Sequence, residues 1–112
     1  MFPPLFLDIH KETLSNKKFR KVIYESRIMK ITVMSIKPDE AIGEEFHSDE
    51  DQFIKVEKGN GLLLLPDIEK QQEVGKGQSV IIPKETRHNF KNVGDDPLKL
   101  YSIYAKVFNP YE

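Results

Sequence analysis

The chain contains no cysteine among its 112 residues. Disulfides, thiolate metal centres and cysteine nucleophiles are therefore excluded, and stability has to come from a packed core. An excess of one charge sign is also missing. Seventeen basic residues stand against eighteen acidic ones, for a formal charge of −1. That balance argues against a dedicated binder of nucleic acid or of an anionic membrane, where a basic excess dominates affinity. No run approaches the eighteen apolar residues of a membrane span. The first seven residues are apolar but too short for a signal h-region; they lack a basic n-region and include Pro3 and Pro4. A cytoplasmic location is the default expectation. Nothing offers ten residues of helical period, and no internal repeat or linker breaks the chain.

What is present fits one small globular domain spanning residues 1–112, with hydrophobic residues at 38% and charged ones at 31%. A chain of this size buries roughly 60–70% of the surface its unfolded form exposes, enough for a single core. Residues 1–14 have no clean period, and Pro3-Pro4 favours an extended N-terminal arm. Phe2, Leu5, Phe6 and Leu7 on that arm need burial, across their own domain or against a partner subunit. His10 reads as a surface residue. Residues 21–24 and 28–36 are rich in β-branched side chains and read as strands. In the second, Met29, Ile31 and Val33 share one face while Lys30 and Thr32 share the other. The basic cluster Lys17, Lys18, Arg20 and Lys21 reads as a solvated start to the first strand. Gly59-Asn60-Gly61, between residues 53–58 and 62–65, is a hairpin signal, because Asn and Gly accept positive φ. Turn chemistry recurs at 66–67, 75–77, 83–86 and 94–97. Short strands spaced about ten residues apart predict an all-β antiparallel sandwich or barrel.

Side-chain parity along these strands gathers metal-capable groups on one face. Around residue 88, Arg87, Asn89 and Lys91 are polar and share one face, while His88 and Phe90 share the other. Gln52 shares parity with the apolar Ile54 and Val56, so it faces inward. His47 shares its face with Glu45 if that segment is extended. Asp49 and Asp51 are reserve ligands in the same acidic stretch.

The spacing of these residues resembles the cupin family, whose first motif is G-x5-H-x-H-x(3,4)-E-x6-G and whose second is G-x5-P-x-G-x2-H-x3-N. The first runs here from Asp39 to Gly59, with Glu45 and His47 on the two His positions and Gln52 on the Glu. The second runs through Gly77, Pro83, His88 and Asn92, with Glu85 where the pattern has Gly. The resemblance implies a jelly-roll β-barrel, often dimeric, holding a divalent metal ion (Fe, Mn, Ni or Zn) on Glu45, His47, Gln52 and His88. This set departs from the usual three imidazoles and one carboxylate. It keeps one negative charge but moves it to a different corner. Glu45, His47 and His88 supply the ligand types of a 2-His-1-carboxylate triad.

Two function classes follow. One is a metal-dependent enzyme on a small polar metabolite, either a sugar or sugar-phosphate isomerase or epimerase, or an Fe(II) oxygenase. The other is a non-catalytic small-molecule-binding or accessory module. No catalytic base stands out; Lys99, Tyr101 and Tyr104 lie on one strand with no role assigned. The apolar arm, Phe53 and the apolar residues 107–111 predict a homodimer.

Overall fold

A computed structural model of the chain describes residues 3–108. It contains one short helix, α1 (Ile9–Ser15), and eight strands: β1 (Arg20–Glu25), β2 (Met29–Ile36), β3 (Glu50–Lys58), β4 (Asn60–Leu65), β5 (Lys70–Gly75), β6 (Ser79–Ile82), β7 (Asn89–Asn92) and β8 (Leu98–Lys106). A single 3-10 turn, Pro66–Ile68, joins β4 to β5. The strands form two antiparallel sheets in the orders β1-β2-β8-β3-β6 and β5-β4-β7. This is the expected jelly-roll barrel. Its core lies between the sheets and consists of Met34, Ile36, Ile54, Val56, Leu63, Val74, Ile82, Phe90, Leu98 and Leu100.

The predicted parity of β3 and β7 holds. Gln52, Ile54 and Val56 are all buried, as are His88, Phe90 and Asn92. On β2 the apolar pattern misleads. Met34 and Ile36 belong to the core, so the even-numbered face, which includes Thr32, is the inward one. Val33 is fully buried as well, yet outside the core cluster. The outer face of this sheet is covered too, because α1 packs against β2, β3 and β8. Strands buried on both faces lose the clean alternation that parity arguments rely on.

Two expectations are corrected. The arm is not extended over all of residues 1–14, since Ile9–Ser15 is helical. Asp8 caps the helix, its side chain accepting a hydrogen bond from the Lys11 N–H. His10 on α1 is not a free surface residue but bonds to the carboxylate of Glu57, whose side chain is only 4% exposed beneath it. Second, Gly59-Asn60-Gly61 does not close a hairpin. β3 pairs with β6 and β8, whereas β4 pairs with β5 and β7. Gly59, at φ 93°, is the corner at which the chain leaves one sheet for the other. Gly61 meets the opposite requirement, close approach: a Cβ there would lie 2.2 Å from the Phe90 ring. Turn residues encode the bend, but strand partners come from far along the sequence, beyond any local signal.

Both positions where the chain lacks the expected motif glycine keep a glycine-like backbone, with Asp39 at φ 67° and Glu85 at φ 63°. Of the residues proposed to form an interface, Leu5, Phe6, Val107 and Phe108 are exposed. Phe2 and residues 109–111 lie outside the described residues.

Candidate metal centre

Three strand-like segments bring the site together. The short stretch around Glu45 bridges the residue before β7: the Glu45 N–H donates to the His88 carbonyl at 2.8 Å and the His88 N–H to the Glu45 carbonyl at 3.0 Å. Such a reciprocal pair puts both side chains on the same face. His47 is held two residues on, its carbonyl accepting from the Glu85 N–H at 2.6 Å. Gln52 enters from near the start of β3, opposite Tyr104 on β8 and Ile82 on β6.

The ligand atoms of Glu45, His47 and His88 all lie within 4.8 Å of one another. The Glu45 carboxylate faces both imidazoles, with Oε2 at 3.8 Å from His47 Nε2 and Oε1 at 3.9 Å from His88 Nε2. Each imidazole is anchored through its other nitrogen. His47 Nδ1 lies 3.1 Å from the Glu50 carboxylate, and His88 Nδ1 lies 2.8 Å from the Thr86 carbonyl. An Nδ1 held by an oxygen turns Nε2 inward, the orientation in which metal-binding histidines are fixed. Both Nε2 atoms are buried with no hydrogen-bond partner, and so is Gln52 Oε1. Gln52 Nε2 donates to the Ser102 and Tyr104 hydroxyls, each at 3.2 Å. The amide oxygen is thereby left as the free end of a side chain only 1% exposed.

Buried nitrogens and oxygens without partners are rare in folded proteins. Here three belong to the four residues assigned from sequence. The donor set fits a divalent transition metal: two imidazole nitrogens, one carboxylate and one neutral amide oxygen. Asp49 and Asp51, the reserve ligands, lie outside it. Asp49 pairs with Lys106 at 3.0 Å, and Asp51 accepts from the Lys84 N–H at 2.9 Å.

Sequence reasoning missed Glu50, the orienting partner of His47, grouping it with the solvated acidic stretch. Its parity with Gln52, Ile54 and Val56 marks it as inward. Tyr104 was noted without a role. It is buried, its ring 5.5 Å from that of His47 in edge-on contact. Burial raises the Tyr104 pKa; Arg20 opposes the rise and Glu45 adds to it. The phenol is therefore neutral at ordinary pH and able to donate. Arg20 Nη2 reaches its hydroxyl at 3.2 Å, and Lys30 Nζ stands 4.8 Å over the ring. A cavity of about 110 Å³ adjoins this corner, lined by Glu25, Ser26, Ile28, Met29, Lys30, Glu50, Tyr104 and Lys106. A larger cavity, about 670 Å³, is lined by residues such as Leu14, Phe19, Lys58 and Lys99, none of which belongs to the site. Cavity size therefore does not locate the chemistry here.

Comparison with known proteins gives the family and the fold. The chain is 34% identical to the uncharacterized protein YrkC of Bacillus subtilis over 96% of its own length and 60% of that protein's. It is 37% identical to an uncharacterized protein of Acanthamoeba polyphaga mimivirus over 93% of its own length and 66% of the relative's. The chain thus spans less than two thirds of these relatives. The crystal structure of a Bacillus halodurans protein, BH2720, superposes with a TM-score of 0.88 at 40% identity, covering 96% of this chain and 85% of that one. A Klebsiella pneumoniae protein with a double-stranded beta-helix domain shares the fold at a TM-score of 0.77 and 19% identity, covering 94% and 91% of the two chains. The cupin-domain family model Cupin_2 matches residues 32–104, which include every residue of the site, and the chain belongs to that family.

Proposed function

We propose that this protein is a metal-dependent enzyme that uses Glu45, His47, His88 and the Gln52 amide oxygen to hold a divalent ion, and that its chemistry is of the Fe(II) oxygenase type, on a small polar metabolite. The observation that carries the reading is the pair of buried Nε2 atoms. Each is fixed by an Nδ1 partner, and both face one carboxylate. Two imidazoles and one carboxylate, with a weak fourth donor, are the residues that would hold such an ion, and the donor types suit Fe(II). When bound, such an ion supplies Lewis acidity or oxygen activation.

The surrounding side chains favour this over isomerase or epimerase chemistry. Proton abstraction from carbon needs a free base beside the substrate. The second carboxylate of the site, Glu50, is already shared between His47 Nδ1 and Lys106 Nζ, at 3.1 and 3.4 Å. Tyr104 is kept neutral by burial, and its oxygen already accepts from Arg20 and Gln52, so it is not a free base either. The chain's own contribution is therefore to bind, orient and exclude water rather than to move a proton off carbon.

The test is elemental analysis of protein purified without chelators, followed by oxygen-electrode assays of the Fe(II)-reconstituted protein with panels of sugars, sugar phosphates and organic acids. Iron binding that His88→Ala abolishes, with substrate-dependent oxygen uptake, is the expected result. Metal content equal in wild type and His88→Ala would refute the site. Metal binding without turnover of any kind would leave a non-catalytic binding module as the function.

A further inference from the structure

We propose that Arg20, Lys30 and Tyr104 form a seat for the carboxylate of the substrate, so that this protein acts on small carboxylic acids with a neighbouring oxygen donor rather than on neutral sugars. The inference rests on the metal reading above and names its substrate class.

Arg20 and Lys30 come from neighbouring strands, β1 and β2, and converge on one side chain of β8. Arg20 Nη2 donates to the Tyr104 hydroxyl at 3.2 Å, its guanidinium carbon 5.8 Å from the ring centroid; Lys30 Nζ lies 4.8 Å from the same centroid. Neither cation forms an ion pair with a carboxylate among the described residues. Lys106, which lines the same cavity, differs: it is held by Asp49 and Glu50 at 3.0 and 3.4 Å. Two cations with no ion-pair partner of their own thus flank the Tyr104 ring, with Glu25 across the strand from Lys30, and a guanidinium has donors to spare after one bond to a phenol.

Tyr104 couples this seat to the metal centre. Its oxygen accepts from Gln52 Nε2 and from Arg20 Nη2, each at 3.2 Å. With both lone pairs occupied, its own proton is left to be donated, and the Thr32 and Ser102 hydroxyls beside it compete with an incoming carboxylate for that proton. Its neighbour in the interior, Thr32 Oγ1, is also buried without a partner. One small molecule would satisfy both ends: a carboxylate taking donors from Arg20, Lys30 and Tyr104, and an adjacent hydroxyl or carbonyl oxygen turned toward the ion that Glu45, His47, Gln52 and His88 would hold. The cavity of about 110 Å³ is lined by Lys30 and Tyr104 and admits a group of carboxylate size, with Arg20 reaching it through the Tyr104 hydroxyl. Glu25 and Glu50 on its wall disfavour a more highly charged phosphate dianion there.

The experiment is calorimetric titration of the Mn(II)-loaded protein with three probes: lactate, propane-1,2-diol and inorganic phosphate. The wild type, Arg20→Met and Lys30→Met are compared, with Mn(II) affinity measured separately for each by loss of the free-ion EPR signal. Lactate is expected to bind at least about tenfold tighter than the diol, since hydrogen bonds to charged groups are the stronger class. Either substitution should weaken lactate about tenfold while leaving Mn(II) affinity and the circular dichroism spectrum unchanged. Equal binding of lactate and diol, or lactate binding indifferent to both substitutions, would overturn the proposal. Phosphate binding tighter than lactate would overturn it in favour of phosphate esters. A wild type that takes up no Mn(II) would refute the metal reading instead. Lactate titrated into the metal-free protein then decides the seat by the same comparison of variants.

Discussion

The relocated charge gives the sharpest test of the metal centre. Glu45 is its single carboxylate, and each of its oxygens is within 4 Å of one imidazole Nε2, at 3.8 and 3.9 Å. A carboxylate attracts a divalent ion through net charge as well as a lone pair, whereas an amide offers only its carbonyl dipole. At a hundredfold excess of metal over Kd, binding to the folded state stabilises it by about 2.7 kcal/mol. If Glu45→Gln weakens Kd a hundredfold, the same metal concentration contributes only about 0.4 kcal/mol. For a domain of this size, near 4 °C per kcal/mol, the metal-induced rise in Tm falls from about 10 °C to about 2 °C. Gln52→Glu moves the other way. It puts a second carboxylate in the buried corner, lowering the Tm of the metal-free protein through desolvation and repulsion from Glu45. It also enlarges the metal response beyond that of the wild type. The assay is thermal unfolding with and without Fe(II), Mn(II), Ni(II) and Zn(II). Equal responses in wild type and Glu45→Gln would refute Glu45 as a ligand, since no other described carboxylate faces both imidazoles.

Other consequences follow from the fold. Glu85→Gly should stabilise the protein by about 0.5–1 kcal/mol in urea unfolding, because relief of a left-handed side chain, about 1–2 kcal/mol, outweighs the added freedom of the unfolded chain; Asp39→Gly should gain less, Asp being tolerated at positive φ. Gly61→Ala should destabilise by at least about 1–3 kcal/mol in the same assay, since its methyl would collide with the buried Phe90 ring. Glu57 provides a pH signature. Burial would raise its pKa, but hydrogen bonds from His10 and Lys55 prevail and lower it below the ordinary 4.5. Its contribution is therefore complete above that value and lost as pH falls through the depressed folded pKa. The stability gap between wild type and Glu57→Gln should narrow in urea titrations as pH is lowered below about 4.5.

How much of this was legible in the sequence depends on the range of each signal. Parity within one strand needs only neighbouring residues, and it located Gln52 and His88 on the inward face. Motif spacing then added Glu45 and His47. The failures involve information the local sequence does not hold. Gly59-Asn60-Gly61 specifies a bend, but whether the flanking strands pair is decided by β6, β7 and β8, far along the chain. Met29, Ile31 and Val33 alternate as a core face would, yet the core lies on the opposite side, and α1 packs on the outer one. Helix α1 has only seven residues, too few to show a period. Its one local sign is the Asp8 cap.

The polar interior of the barrel is hard to reconcile with a purely structural role. Among the described residues, four buried polar side-chain atoms have no hydrogen-bond partner: Thr32 Oγ1, His47 Nε2, Gln52 Oε1 and His88 Nε2. Each buried unsatisfied group costs about 1–3 kcal/mol, a large share of the 5–15 kcal/mol that holds typical domains together. Two of the four residues, Thr32 and Gln52, lie on strands whose other inward residues, including Met34, Ile36, Ile54 and Val56, form the apolar core. An apolar side chain at either position would have been structurally simpler, so the compensation is expected from what the site binds. Thr32 separates stability from metal binding, since it is not in the ligand set. Thr32→Val keeps the shape and removes the orphaned hydroxyl. It should raise the stability of the metal-free protein by about 1 kcal/mol, read as about 4 °C in Tm, and leave the metal-induced shift at its wild-type size. Loss of stability in Thr32→Val would mean that its hydroxyl is satisfied in the metal-free protein, and would refute the account of the barrel interior as a site left incomplete for its ligands.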